Sequence, residues 1–276
     1  MNNLITRTIT GAIFVVAVLG SAFMNSWIFA SVFAIFMIVG MIEFYRLCEK
    51  INIHPPIIPG ILIGVSIYVF TLIHEMSNIN IDYKIVFISI FGLSMLLFFL
   101  ELFRKSTTPL QNIAASILGA FYVSIPFSLV IALGTKQLPN LSFAYLPVFF
   151  FIIIWMYDTF AYLVGIKFGK KRICERISPK KSWEGAIGGL FFTLLLAIIL
   201  SFYFPFLSTL EWIGFATIIV IFGTLGDFAE SMLKRNANIK DSGNFFPGHG
   251  GILDRFDSVL LSIPFVYLYL MIIEIF

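Results

Sequence analysis

Nine apolar runs, most of them close to 20 residues long, divide this chain: 9–23, 26–45, 56–74, 84–103, 111–134, 143–165, 185–205, 212–231 and 257–275. A helix of about 20 residues crosses a hydrocarbon layer of about 30 Å. With 59% hydrophobic and 12% charged residues, a water-soluble core could not take up this much apolar surface. Inside lipid each segment must satisfy its own backbone N–H and C=O groups. The predicted fold is therefore all-α, a polytopic membrane protein of about nine transmembrane helices. Residues 1–276 read as a single integral membrane domain, with 1–140 mainly scaffold and 141–276 carrying the loops of chemical interest. Only a short "MNS" separates the first two runs, so their shared boundary is soft. The second run follows without a small-residue cleavage site, and the first is read as a retained helix rather than a signal.

Charge distribution orients the runs. With nine spans, 16 of the 18 Lys and Arg residues fall on one side and only Lys84 and Lys136 on the other. Short loops rich in these residues stay in the cytoplasm. The N-terminus is thus expected in the cytoplasm and the C-terminus outside. No nucleic-acid motif is present. Cys48 and Cys174 fall in segments assigned to the reducing side, so no disulfide is expected, and His54, His74 and His249 do not give a zinc spacing.

The unusual chemistry lies after residue 155. Asp158 follows "FFFIIIWMY" inside an apolar run. A carboxylate at that depth costs roughly 2.5–3.5 kcal/mol and should face a polar cavity or a partner; an interhelical bond and a site role both meet that need. In "GTLGDFAESMLKR", Asp227 and Glu230 share a helix face with Ser231 and Lys234. Two acids and a hydroxyl can ligate a hard cation, or the acids can simply pair with Lys234 and Arg235. In "KDSGNFFPGHGGILDRFD", Asp254 and Asp257 open the last helix beside Gly248, His249, Gly250 and Gly251. An anion-binding backbone next to two carboxylates suits a metal-bound polyphosphate. Finally, "KFGKKRICERISPKKSWEGAIGG" holds seven basic residues. It is either a topology-setting loop touching anionic lipid or a phosphate site. Ser178 and Pro179 would start a turn, Ser182 would cap the next helix, Lys180 and Lys181 would present ammonium groups, and Glu184, Gly185, Gly188 and Gly189 would open the helix for close packing.

The stretch from Ser231 to Asp257 resembles the signature of phosphatidate cytidylyltransferases, the CDP-diacylglycerol synthases. Ser231, Lys234, Arg235, Lys240, Asp241, Gly243, His249, Gly250, Gly251, Asp254, Arg255 and Asp257 meet every fixed position. "SPKKSWEG" and "GDFAES" resemble further segments of that family. The resemblance implies that phosphatidic acid attacks the α-phosphorus of CTP, giving CDP-diacylglycerol and pyrophosphate, with Mg²⁺ required and the number of cations left open. It implies Asp227, Asp254 and Asp257 as metal ligands. Lys234, Arg235, Lys240 and Arg255 would hold phosphates, with Ser231, Gly250 and Gly251 beside the substrate. Lys180, Lys181 and Ser182 would reach the triphosphate or the lipid head group, and His249 would donate to pyrophosphate or pin its loop. Asp158, Glu184, Glu230 and Asp241 would orient these groups. The same resemblance implies a multi-pass protein of a cell membrane, a bacterial inner membrane by expectation, with its site facing the cytoplasm and a homodimer as its assembly. A CDP-alcohol phosphotransferase is disfavoured because its acidic series is absent. A transporter of a phosphorylated solute is the non-enzyme alternative; it predicts broken helices in two related halves, whereas the polar groups here gather in one half.

Overall fold

The computed structural model describes residues 3–77, 79, 81–135, 145–248 and 250–274. Eight of its helices are long and apolar enough to cross a membrane, and a shorter apolar helix spans Thr8–Met24. In chain order they are α1 (Asn3–Val15), a π-helical turn at Val16–Gly20, α2 (Ser21–Met24), α3 (Ser26–Glu49), α4 (Ile57–Met76), α5 (Tyr83–Phe103) and α6 (Pro109–Thr135). Then follow α7 (Tyr145–Phe168), α8 (Trp183–Tyr203), α9 (Thr209–Asn236) and α10 (Leu253–Ile272). The soft boundary resolves at Asn25, whose side chain accepts from Trp27 N at 2.7 Å and Ile28 N at 3.1 Å and so starts α3. One expectation is corrected here. "SPKKS" does not begin a turn; it forms strand β2 (Ser178–Ser182), paired antiparallel with β1 (Arg172–Cys174).

The chain divides into two compact units, 1–135 with 233–256 and 136–232 with 257–276. In the first unit, α3, α4 and α6 pack closely around Tyr45, which is fully buried and donates to the Ser116 carbonyl at 2.9 Å. Gly60 and Gly119 leave room for its ring, where a Cβ on either would collide with it. Phe33, Phe127, Phe14 and Phe256 cluster here, with Phe127 and Phe256 ring centres 4.9 Å apart. Phe246 joins them against Phe14 at 5.5 Å. Two side chains of the polar stretch, Phe246 and Phe256, are thus anchored in an aromatic core.

In the second unit α7 and α8 pack at close range because small residues line the seam. A Cβ at Gly185 would lie 2.7 Å from the Ala161 carbonyl, and one at Gly188 would lie 2.6 Å from Val164. Phe160 and Phe192 stack across the seam with ring centres 4.0 Å apart. Further along, Phe222 of α9 stacks on Phe265 of α10 at 3.6 Å, and Tyr269 donates to the Glu211 carbonyl at 3.0 Å.

Candidate functional site

The second unit holds a cavity of about 600 Å³ lined by α7, the β-hairpin, α8 and α9. Its polar lining comes from Tyr157, Asp158, Arg172, Lys180, Lys181, Ser182, Thr224 and Asp227. The hairpin delivers the lysines. Ser182 ends β2, is buried, and caps α8 by accepting from Gly185 N at 3.2 Å, as the sequence predicts. Glu184 in the first turn of α8 accepts from Lys170 N at 3.0 Å and from Lys171 N at 3.1 Å. It therefore ties down the basic loop through its backbone, which leaves the ammonium groups of that loop for other partners. The Arg172 guanidinium donates to the Lys180 carbonyl at 3.2 Å, fixing the strand from which Lys181 projects.

Lys181 forms an ion pair with Asp227 and lies 4.9 Å from the centre of the Phe228 ring. Asp227 also accepts from Ser231 Oγ at 3.2 Å, one helical turn further along α9. Asp257 accepts from Ser258 N at 2.6 Å, and the charges of Asp227, Asp158 and Lys181 all act on it. The approach is possible because Gly226 has no Cβ: one there would collide with the Asp257 carbonyl. Three carboxylates and one lysine therefore share an electrostatic neighbourhood, with Asp158 exposed toward the cavity it lines. Tyr157 and Thr224 hydroxyls are hydrogen-bonded at 2.8 Å on the same wall. Glu230 is buried at 1% exposure.

The first unit holds the rest of the polar stretch. Asp254 Oδ1 accepts from Lys234 Nζ at 2.6 Å. Its Oδ2 accepts from Ser242 N at 2.8 Å, Ser242 Oγ at 2.9 Å and Gly251 N at 2.8 Å. Gly248 and Gly250 have φ of 78° and 81°, in the left-handed region that glycine reaches without strain, and Phe246 bridges to Gly250. Lys234 thus binds Asp254, while Asp227 takes Lys181. Arg235 donates to the Ile239 carbonyl at 3.0 Å, closing the end of α9. Lys240, Asp241 and Arg255 are exposed, and His249 lies outside the described residues.

Sequence reasoning missed Glu43. It sits in α3 at 5% exposure and accepts from Leu253 N at 3.0 Å and Ser242 Oγ at 3.2 Å. The available signal was a carboxylate inside the apolar run "MIVGMIEFYRL", the same reasoning that singled out Asp158.

Among the described residues no three His, Cys, Asp or Glu side chains are grouped so as to enclose a metal ion by themselves. Mg²⁺ does not require such a cage, because it is commonly held by one or two carboxylates with water and substrate phosphates completing the shell. Asp227, which lines the cavity, and Asp257, on which its charge acts, fit that pattern.

Comparison with known proteins gives this chain sequence relatives. A family model described as "Cytidylyltransferase family" matches residues 5–273. A phosphatidate cytidylyltransferase of Staphylococcus haemolyticus is 34% identical over 210 residues, covering 75% of this chain and 77% of the relative. One from Bacillus subtilis is 32% identical over 231 residues, 83% of this chain and 84% of the relative. One from Staphylococcus aureus strain COL is 36% identical over 178 residues, 64% and 66% of the two chains.

Proposed function

We propose that this chain, which belongs to the cytidylyltransferase family, transfers the cytidylyl group of CTP to phosphatidic acid. The observation that carries the reading is similarity over most of the chain to proteins described as phosphatidate cytidylyltransferases. None of the relatives cited above is described as a transporter. The reaction forms a bond from a phosphate oxygen of phosphatidic acid to the α-phosphorus of CTP. It breaks the bond from that phosphorus to the β-phosphate, and pyrophosphate departs with the electron pair. The lipid phosphate is already nucleophilic, so the protein's tasks are alignment and neutralisation of charge.

The side chains of the cavity suit those tasks. Lys180, Lys181 and Arg172 offer donors to phosphate oxygens from the hairpin. Lys181 is held by Asp227, so its ammonium is in place before substrate arrives. Asp227 and Asp257 would hold Mg²⁺, which when bound offsets the charge of the triphosphate and the departing pyrophosphate. Asp254 keeps the role that its place in the signature implies. Lys234, Arg235, Lys240 and Arg255 are proposed to hold phosphates on the same ground. The charge asymmetry of the loops supports a site facing the cytoplasm, where CTP is found, and a homodimer is proposed from the resemblance alone.

The test uses purified full-length protein with phosphatidic acid, Mg²⁺ and CTP labelled either at its α- or at its γ-phosphorus. The α-label is expected in lipid and the γ-label in pyrophosphate. A γ-label in lipid would mean a kinase, and unlabelled lipid with either probe would remove the reading.

A further inference from the structure

The signature loop has an anchor far from it in sequence. Glu43 reaches across 199 residues to Ser242 and 210 residues to Leu253. Its carboxylate occupies the space that a Cβ at Gly243 or Gly251 would need; an alanine at either position would collide with it. Two glycines of the signature are thus the places where this loop closes over an acid from α3. The Ser242 hydroxyl stands between two carboxylates, 3.2 Å from Glu43 and 2.9 Å from Asp254. Glu43 also accepts from Leu253 N, the residue that opens α10 directly before Asp254. Both ends of the loop, at Ser242 and at Leu253, are therefore fastened to one buried side chain.

We propose that Glu43 is a positioning residue for the reaction: it clamps the loop between Ser242 and Leu253 and so sets where Asp254 and its partner Lys234 present themselves. A buried acid in an apolar helix is expensive and usually has a partner that accounts for it. Here the partners are a hydroxyl and a backbone N–H of the loop itself. The geometry also explains a small residue at position 243, which the resemblance alone leaves as a bare pattern.

This inference rests on the proposed cytidylyl transfer for its activity readout, and a second readout is independent of it. The full chain, reconstituted in lipid, would be compared with Glu43→Gln, Ser242→Ala and the double variant. Glutamine keeps the size of the side chain and one acceptor oxygen but loses the charge. Outer groups that orient a site typically contribute about 10- to 100-fold. Glu43→Gln is expected to lower kcat by about that factor while changing KM for CTP by less than about threefold. Amide exchange should rise in the segment 242–253 and not along the rest of α3. The double variant should be no slower than Glu43→Gln alone, because the two side chains act through one contact. Wild-type kcat in Glu43→Gln, unchanged exchange in the loop, or losses that multiply in the double variant would each overturn the proposal. General loosening of α3 with activity lost only in step with the folded fraction would overturn it as well. Should the wild type form no CDP-lipid, the cytidylyl-transfer reading fails and the exchange pattern alone decides the case for Glu43.

Discussion

Asp254 and Asp227 are both aspartates close to the ends of apolar helices, and their surroundings differ in kind. Asp254 is met by Lys234 and by three donors from Ser242 and Gly251. Asp227 has Lys181 and one hydroxyl, and the acids Asp257 and Asp158 are near enough for their charges to interact. Both oxygens of Asp254 are therefore engaged by Lys234 and by donors of its own loop. The carboxylates around Asp227 instead repel one another beside a cavity that Asp227 and Asp158 line. The difference teaches that acids a family pattern groups together divide between two kinds of surroundings, which motif membership does not disclose.

Substitutions can break that division or sharpen it. The largest effect is expected for Asp227→Asn, with CDP-lipid formation falling by about 10³-fold, the scale of losing a transition-state charge partner, measured with intact membrane insertion as the control. If Asp227 instead serves only to hold Lys181, the loss will match that of Lys181→Ala. Next comes Gly243→Ala, which pushes a methyl group against the Glu43 carboxylate. A loss of about 10- to 100-fold in kcat is expected from the displaced loop, read by steady-state kinetics. Lys181→Ala should raise KM for a phosphate-bearing substrate by about tenfold, the cost of one charge-assisted hydrogen bond of about 1.5 kcal/mol. Retention of tight binding would mean that the ammonium serves Asp227 only.

The smallest effect on turnover is expected at a polar cluster elsewhere in the first unit. Asn112 is fully buried, donates to Glu101 at 2.7 Å and Ser106 at 2.8 Å, and accepts from His54 N at 2.8 Å. Arg104 completes the cluster by pairing with Glu101 at 3.0 Å. Asn112→Ala should lower stability by about 2 kcal/mol, since it leaves buried groups unsatisfied, while folded protein keeps its kcat. Thermal denaturation in detergent together with activity per folded molecule checks both halves.

The helices were legible in the sequence because lipid imposes one requirement, an apolar run of sufficient length, and all nine runs are helical in the described residues. Ser182 and the small residues Gly185, Gly188 and Gly189 also did what their chemistry suggests at a cap and a helix seam. Other features depend on which distant segments meet. The β-hairpin at 172–182 is set by pairing across a short turn that hydropathy does not register. The partner of Lys234 could not be chosen from spacing, since Asp227 and Glu230 lie on the same helix and Asp254 is 20 residues away. Glu43 was hidden for a similar reason: a single acid near the end of a span reads as an interfacial anchor until the loop it holds is placed beside it.

The most direct measurement is incorporation of CTP's α-phosphorus into lipid by wild-type protein and by Asp227→Asn in the same membrane preparation. The account predicts steady labelling of a CDP-lipid by the wild type, with equimolar pyrophosphate, and near-complete loss in the variant. Equal labelling by both proteins would contradict it.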